Sequence, residues 1–482
     1  MLKGTTLKIL RRNLYAAVSI AAVTVGALAS SQTLAEDEAT EQRPFVEINK
    51  NPYPSTYAPL ESHMVAIVNA VVLDGLGSKI EGGIVVMDGG NVVAVGNDIE
   101  LPDGIEIIDG TGKWVTPGII DVHSHLGVYP SPSVSAHADG NEMTNPVTAE
   151  VWAEHSVWPQ DPGFHRALAG GVTSLQILPG SGNLIGGRGV TLKNVSSRTM
   201  QGMKFPDAPN GLKMACGENP KRVYGGKGRA PSTLMGNVAG YRNAWIGARD
   251  YNTSWEEYRT AYAAGEDPTP PSQDLSKDTL AGVLNGEILI HNHCYRADQM
   301  AVMIDIANEF DYKISTFHHA IESYKIADIL AENNICSAVW ADWGGFKMEA
   351  YDTIRENAAF IHNAGACAII HSDSDNDIQH LQHEAAKTVA DAARVGINIP
   401  IEEAWLWLSR NPAKALGVSD QTGSIEVGKD ADIVLWDGNP FSVYTKAEMV
   451  YVDGALMFDL NDEELQPVSD FRLALPGQGD VK

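Results

Sequence analysis

Residues 114–125 read WVTPGIIDVHSH, and this stretch decides the fold prediction. An apolar run of this kind, rich in β-branched residues, is typical of a buried strand, which we predict over 114–123. Two histidines, His123 and His125, stand at its carboxyl end. Because side chains two positions apart in a strand face the same side, both imidazoles are predicted to point in one direction.

Seven further strand-like runs follow, and helical patterns separate most of them. This alternation is typical of a parallel sheet covered by helices. Eight such units are enough to close into an α/β fold of the TIM type, a (β/α)8 barrel. The predicted core strands are 114–123, 172–178, 189–195, 211–217, 287–293, 313–319, 336–342 and 367–373, and helices are predicted over 296–310, 321–334 and 384–396.

Side chains of the metal-ligand type recur at the ends of these strands. Because the carboxyl ends of the strands meet on one face of a TIM barrel, these residues are expected to share one pocket. Histidine and carboxylate ligands without thiolates suit zinc, manganese, iron or nickel. At or next to strand ends these are His123, His125, His291, His293, His318, His319 and Asp373, and the predicted strand 211–217 also carries Lys213.

The two ends of the chain carry a different pattern from the middle. Short β-type runs separated by turn residues occupy about 64–110, and a similar pattern returns at 431–440 and 449–458. β-rich pieces at opposite ends of a chain can pair into one sheet. We therefore expect a small composite β domain beside the barrel.

The charge and the amino terminus restrict the partners. The chain has 482 residues and a formal net charge of −26, so binding of nucleic acid through its phosphates is not expected. A basic start, an apolar run over 14–29 and small residues before Glu36 are typical of a secretory signal. We predict an exported protein, periplasmic or secreted, with no membrane span after signal removal. A homo-oligomer is compatible with these features.

The four cysteines are Cys216, Cys294, Cys336 and Cys367. They form no CxxC pair and lack the dense spacing of a disulfide framework. Each lies within or beside a short apolar run. Buried, unpaired thiols that pack as small hydrophobic side chains are therefore the expectation.

Two motifs carry a family resemblance. The first is VTPGIIDVHSH at 115–125, and the second is NPAKALG at 411–417 followed by GSIEVGKDADIV at 423–434. With them the chain resembles the amidohydrolase superfamily over roughly 64–460, and it looks most similar to the imidazolonepropionase and prolidase-like branch. The resemblance implies a metal-dependent hydrolase barrel over 114–419 and a small β-sandwich domain built from 36–113 and 420–482, while the amino-terminal pattern assigns 1–35 to the signal peptide.

The resemblance also implies two divalent ions, with zinc as the expected metal. The implied ligands are His123, His125, Lys213, His291, His319 and Asp373. Lys213, in LKMA, matches a lysine that is carboxylated in prolidase-like members, and Glu218 in CGENP is the alternative bridging ligand. The end of the predicted strand 313–319 reads FHHA where relatives have EHG. A shift of one residue in the alignment would therefore make His318 the metal ligand instead of His319.

This ligand set predicts hydrolysis of a C–N bond. A bound metal lowers the pKa of its water towards about 7 and so supplies a hydroxide nucleophile. Asp373 is expected to accept the proton of this water and pass it to the leaving nitrogen. His291, His293 or His318 is expected to polarise the substrate carbonyl group.

Basic residues just past the predicted strand 211–217 are candidates for binding a substrate carboxylate. Arg222 and Arg229, with Lys221 and Lys227, stand out in an acidic chain, and Tyr224 between them offers a hydroxyl group. The expected substrate is a small amide, a dipeptide or a cyclic amide.

Two other functions remain open at this stage. One is a metal-dependent deaminase of the same superfamily, although strand 5 continues into Asn292-His293-Cys294-Tyr295 without the glutamate that adenosine-type deaminases carry there. The other is a non-catalytic exported binding protein built on the barrel. Metal content and a screen of small amides would separate the three functions.

Overall fold

The computed structural model describes residues 42–466 of the chain. The predicted signal peptide over 1–35 and the last residues of the predicted composite domain, 467–482, lie outside the described residues. Within the described range, no helix combines the length and the hydrophobicity that a bilayer span requires.

Two eight-stranded sheets contain all the strands of the described part of the chain. The strands are β1 (Val65–Leu73), β2 (Lys79–Asp88), β3 (Asn91–Gly96), β4 (Glu106–Asp109), β5 (Trp114–Pro117), β6 (Ile119–Ser124), β7 (Val172–Ile177), β8 (Ile185–Lys193), β9 (Gly211–Ala215), β10 (Leu289–His293), β11 (Ile314–His318), β12 (Cys336–Val339), β13 (Cys367–Ile370), β14 (Ile433–Trp436), β15 (Ala447–Val452) and β16 (Ala455–Asp459).

The helices lie mainly between the strands of the second sheet, as the alternating pattern predicts. They are α1 (Pro162–Ala169), α2 (Glu218–Gly225), α3 (Leu234–Ala263), α4 (Leu275–Leu284), α5 (Ala297–Phe310), α6 (Ala327–Glu332), α7 (Asn357–Asn363), α8 (Leu381–Arg394), α9 (Ile401–Ala404) and α10 (Arg410–Leu416).

Strands β6 to β13 follow one another in sequence order across one sheet, which curves into a TIM-like barrel. All eight predicted core strands have a counterpart in this sheet. Their side chains are almost all buried, because helices cover the outer face while side chains fill the inside. The predicted barrel architecture is therefore confirmed.

One strand runs against the predicted direction. β8 pairs antiparallel with both of its neighbours, β7 and β9, whereas the other neighbouring pairs of this sheet are parallel. Only residues 178–184 connect β7 to β8, and no helix lies between them. A connection this short turns the chain back on itself, because a parallel crossover needs a dozen or more residues. The prediction of an entirely parallel sheet is wrong at this strand.

Polar contacts join the first and last barrel strands, β6 and β13. The Ser372 hydroxyl donates to the Asp121 carboxylate, and the Asp373 N–H donates to the His123 carbonyl oxygen at 3.0 Å. Burial raises the pKa of Asp121 to about 7. The barrel is thus closed at this seam by a side chain and the main chain just after β13.

The predicted strand 114–123 is in fact two strands that belong to different sheets. β5 lies in the first sheet and β6 in the barrel, with Gly118 between them. A Cβ atom on Gly118 would lie 2.0 Å from the Thr173 hydroxyl oxygen, so no larger residue fits without movement. The chain therefore passes from one sheet to the other at a single glycine.

The first sheet joins the two ends of the chain. Its order is β16-β15-β14-β5-β1-β2-β3, with β4 also beside β1. β5 and β14 pair antiparallel, with Trp114 opposite Trp436. The predicted pairing of the chain ends is thus confirmed. The domain boundaries, and the arrangement of this sheet as a β-sandwich, stay predictions.

The cysteines differ from the expectation of unpaired thiols, because the structure joins them in two disulfides. Cys216 pairs with Cys294 across 78 residues, and Cys336 pairs with Cys367 across 31 residues. The partners of each pair lie on or just after neighbouring parallel strands: β9 and β10 for the first, β12 and β13 for the second. Sequence spacing does not show this proximity, because only the strand order of the barrel produces it.

A buried lysine connects the barrel to the composite sheet. Lys193, at the end of β8, lies 2.7 Å from the Asp430 carboxylate, 3.5 Å from that of Asp432 and 2.5 Å from that of Asp453. Its side chain is 1% exposed. Three carboxylates surround one ammonium group here, and the positive charge of the lysine offsets the free-energy cost of removing these carboxylates from water.

Replacement of this lysine is predicted to destabilise the fold. Lys193→Met leaves the buried carboxylates of Asp432 and Asp453, and the partly exposed one of Asp430, without their cation, which is expected to lower the free energy of unfolding by about 3–5 kcal/mol. Urea unfolding followed by circular dichroism measures the effect. The matched control is Arg242→Met, which removes the exposed ion pair with Glu309 and should change stability far less. Equal losses in the two variants would contradict the prediction.

Candidate active site

β6 carries His123, and His125 directly follows this strand, at the end of the barrel where the other candidate ligands lie. The His125 Nδ1 atom lies 2.8 Å from the Leu178 carbonyl oxygen, so Nδ1–H donates there and Nε2 faces the other candidate ligands. The His123 Nδ1 atom lies 3.0 Å from Nδ1 of His318. In each ring a neighbour engages Nδ1, which orients Nε2 towards the same space.

Two candidate ligands have left-handed backbone. His319 has φ of 54°, and Asp373 also has φ of 54°. His319 directly follows β11, and Asp373 lies three residues after β13. This conformation is unfavourable for residues with a side chain and persists only where the surroundings hold it. Both residues leave their strands by a turn that strand periodicity does not predict.

The Asp373 carboxylate is the point on which the imidazoles converge. Its oxygens lie 3.1 Å from Nε2 of His125, 3.5 Å from Nε2 of His123 and 3.5 Å from Nε2 of His319. His371 completes the cluster, since its Nε2 atom lies 2.7 Å from Nδ1 of His319. Two groups of ligand atoms, each within 4.8 Å, result: His123 with His125 and Asp373, and His123 with His319 and His371.

The donor set of this cluster fits a divalent metal ion. Burial lowers the pKa of His123 and His319 well below the usual value, and that of His371 to about 4. These imidazoles are therefore neutral at physiological pH, the form that binds metals. The His123 Nε2 atom is buried and has no hydrogen-bond partner among the described residues. A buried acceptor of this kind, beside a carboxylate, is what a metal site requires.

His318 and His291 form a deeper chain of hydrogen bonds below this cluster. His318 contacts His123 through Nδ1 and lies 2.9 Å from Nδ1 of His291 through Nε2. The remaining nitrogen of His291 lies 3.4 Å from the Gln176 amide. Both nitrogens of both rings thus face other side chains, so metal ligation by His291 would require one of these contacts to be replaced.

Lys213 lies on β9 directly opposite His291 of β10. It is completely buried, and its Nζ atom donates to the Pro179 carbonyl oxygen at 2.9 Å. Burial lowers the pKa of Lys213 to about 7, opposed by the charge of Asp373. A substantial fraction of this amine is therefore unprotonated at neutral pH, which is the form that reacts with carbon dioxide.

A second polar group lies beside the cluster, around the predicted catalytic residue His293. Its Nε2 atom is 3.3 Å from the Asn219 amide nitrogen, and Asn219 in turn accepts from Lys347 Nζ at 3.0 Å. Lys347 also lies 3.5 Å from the Glu218 carboxylate and 4.3 Å from the centre of the Tyr295 ring. Glu218, the alternative bridging ligand, thus contacts Lys347 and belongs to neither group of metal-ligand atoms.

The predicted substrate-binding residues mainly contact the protein itself. The buried Tyr224 hydroxyl donates to the Asn145 carbonyl oxygen at 2.7 Å, and the Arg229 guanidinium donates to that of Thr144 at 2.5 Å. Arg222 is exposed. Tyr224 and Arg229 would have to leave these carbonyl groups before either could bind a substrate.

An aromatic wall on the loop after β12 was not predicted from the sequence. Trp340 stacks on His319, with ring centres 4.4 Å apart, and its indole N–H donates to the Ser372 carbonyl oxygen at 2.9 Å. Trp343 packs against Trp340 at 4.7 Å, and Phe346 lies near both. The apolar pattern of the predicted strand 336–342 does not show that these rings lie beside the histidine cluster. The only signal in the sequence is the group of aromatic residues at 340–346.

A TIM-like barrel with this histidine and aspartate cluster at its strand ends defines an enzyme with a candidate metal site. Comparison with known proteins gives the family. Residues 277–467 match the model of the Amidohydrolase family. An amidohydrolase of known structure from Thermotoga maritima is 37% identical and superimposes with a TM-score of 0.74, over 82% of this chain and 100% of that chain. The chain therefore belongs to the amidohydrolase family, and the resemblance noted in the sequence is confirmed.

Two curated relatives agree with this assignment. Amidohydrolase tasK from Hapsidospora irregularis is 32% identical over 397 residues, 78% of this chain and 40% of that protein, so the chain spans two fifths of its length. An imidazolonepropionase from Agrobacterium fabrum is 24% identical over 404 residues, 79% of this chain and 88% of that protein. Membership of the family makes this protein a hydrolase that acts on carbon–nitrogen bonds.

Exchange of Asp373 is predicted to remove activity while the fold is kept. Asp373→Asn preserves size and one oxygen, but the amide neither accepts a proton nor attracts a cation as a carboxylate does. We expect kcat to fall by about 10²–10⁴-fold or more, with less metal per chain by elemental analysis. Asp375→Asn, two residues on and exposed, is the matched control. Near-normal kcat in Asp373→Asn, or collapse in Asp375→Asn instead, would show that the residue is misassigned.

Proposed function

We propose that the protein is an exported, metal-dependent amidohydrolase that cleaves a C–N bond in a small amide, a dipeptide or a cyclic amide. The observation that carries the proposal is the convergence of three imidazole Nε2 atoms, from His123, His125 and His319, on the Asp373 carboxylate. Imidazoles around one carboxylate, at the strand-end face of a barrel, are suited to hold a divalent cation beside a proton acceptor.

We propose two zinc ions at this centre. Their ligands would be His123, His125, Lys213, His291, His319 and Asp373. When bound, the metal supplies Lewis acidity that activates water and polarises a carbonyl group. Two overlapping groups of imidazole and carboxylate ligand atoms lie in a small volume, which favours more than one ion, and His371 fixes the ring of His319 through their 2.7 Å contact.

The chain's own residues account for proton movement and orientation in this mechanism. Asp373 would take the proton of the attacking water on a carboxylate oxygen and transfer it to the leaving nitrogen. His293, at the edge of the cluster, keeps its Nδ1 atom free of hydrogen bonds to the described residues. Since the Asn219 amide donates to its Nε2 atom, Nδ1 carries the proton and can donate to a developing negative charge on the substrate oxygen.

Lys213 is proposed to act as a bridging ligand in carboxylated form. Two features support this role: its burial, which lowers its pKa to about 7, and its position opposite His291 on the neighbouring strand. The unprotonated amine attacks carbon dioxide, the new N–C bond forms, and one proton leaves the nitrogen. The carbamate then carries the negative charge that two cations would neutralise.

The substrate is proposed to lie against the loop after β12. Trp343 and Phe346 are partly exposed there, beside the ring of Trp340 that stacks on His319. Lys347 adds a cation next to this aromatic surface. An apolar group beside the scissile bond, with a polar group within reach of Lys347, would match these side chains.

Export is proposed from the amino-terminal sequence, and the cysteine pairing supports it. Disulfides form and persist in oxidising compartments and are rare in the cytosol. The pairing of Cys216 with Cys294 and of Cys336 with Cys367 leaves no free cysteine among the described residues. A periplasmic or secreted location is consistent with this chemistry.

Lys213 offers a direct test of the bridging role. Lys213→Ala is expected to lose activity and part of its metal, and short carboxylates such as acetate or propionate should restore part of both, because they supply the missing oxygens. Elemental analysis and rates measured with and without acetate follow the effect. The bridge would be Glu218 instead if Glu218→Ala loses its metal while Lys213→Ala keeps both ions.

A substrate screen tests the proposed reaction. The zinc-loaded protein is assayed against dipeptides, N-acyl amino acids and cyclic amides, with detection of the released amine. We expect hydrolysis of at least one class, with loss of activity after chelation and recovery on addition of zinc. Release of ammonia from amino-substituted heterocycles alone would indicate a deaminase. Binding without turnover of any amide would indicate a non-catalytic protein.

A further inference from the structure

A large cavity lies apart from the strand-end cluster. It has a volume of about 1460 Å³ and is bounded by β8, helices α3 and α4 and the segment 46–57. Aromatic side chains form part of its lining, among them Tyr53, Trp152, Tyr251 and Trp255. None of the residues assigned above to the metal centre or to proton transfer lines this cavity.

Arg188, on β8, is the unusual residue of this cavity. It is 6% exposed, its guanidinium carbon lies 4.1 Å from the centre of the Trp152 ring, and its Nε atom donates to the Thr279 hydroxyl at 2.8 Å. No carboxylate among residues 42–466 lies within ion-pair distance of it, and no described side chain accepts from its two terminal nitrogens. A guanidinium group this deeply buried normally has an acidic partner.

The nearest acidic side chains are occupied elsewhere. Glu154 lies 2.7 Å from Lys204, and Glu287 pairs with Lys50. Asp278 accepts from the Tyr251 hydroxyl at 2.6 Å. These carboxylates act on Arg188 only from a distance, and burial lowers its pKa to about 10, so the group remains a cation at neutral pH. Its planar fork therefore lines the cavity as a preformed donor pair without a close counter-charge.

We propose that this cavity is a binding site for a small carboxylate that carries an apolar or aromatic group. The two terminal nitrogens of Arg188 donate to the two carboxylate oxygens, a pairing that the planar guanidinium group favours. Trp152 and Thr279 hold the guanidinium in place, so little freedom is lost on binding. The apolar part of the ligand lies against the aromatic side chains of the lining. This site is separate from the proposed hydrolytic centre and does not depend on its chemistry.

Titration calorimetry with benzoate tests the proposal on the purified protein. We expect one saturable site per chain in the wild type and binding at least about tenfold weaker in Arg188→Met, which removes the donor pair. Arg188→Lys keeps the charge but loses the planar fork, so it should also bind benzoate more weakly. Unfolding temperature without ligand, and amide hydrolysis where a substrate is known, should stay near wild type in both variants.

Two controls separate this site from the metal centre and from general hydrophobic binding. Benzamide, which has the same shape without the charge, should bind at least about tenfold more weakly than benzoate. Lys347→Met, beside the candidate active site, should leave benzoate binding unchanged. The proposal is wrong if the wild type shows no saturable binding below about 10 mM. It is equally wrong if benzamide binds as tightly, or if Lys347→Met loses binding while both Arg188 variants keep it.

Discussion

Asp373 joins two tasks on which the rest of the molecule depends. Its main-chain N–H donates to the His123 carbonyl oxygen at 3.0 Å, where the last barrel strand meets the first. Its carboxylate oxygens lie 3.1 to 3.5 Å from three imidazole nitrogens. The left-handed backbone of the residue is held by these contacts on both sides. The contact that closes the barrel and the contacts that assemble the candidate metal centre are therefore both made by Asp373.

The parts of this structure that could be predicted are those that follow from strand periodicity and barrel topology. Buried β-runs ending in His123, His293, His319 or Asp373 predict convergence, because parallel barrel strands end on one face. The reversed direction of β8 could also have been found. The predicted strands 172–178 and 189–195 are separated by about ten residues without a helical pattern, which is too short for a parallel crossover.

The remaining details depend on geometry that no local pattern contains. His371 contacts His319 because the chain turns sharply after β11, and His318 contacts His291 because β10 and β11 are neighbours in the barrel. The disulfides likewise depend on strand order, since Cys336 lies opposite Cys367 in the sheet although 31 residues separate them. The contacts of Tyr224 and Arg229 with a distant loop are of the same kind, because basic character alone does not show which group a side chain meets.

The composite sheet cannot be completed until nearly the whole chain has been synthesised, because it pairs β5 with β14. Trp436 donates from its indole nitrogen to the Thr116 hydroxyl at 2.9 Å, across 320 residues of sequence. Until β14 emerges from the ribosome, β5 has no partner on that side and remains an open sheet edge. Contacts between such distant segments form late, because the whole intervening chain must be closed as a loop. A nascent chain that contains β5 but ends before residue 433 therefore has an unpaired strand edge, and a chaperone that covers this edge would prevent association with other unfinished chains.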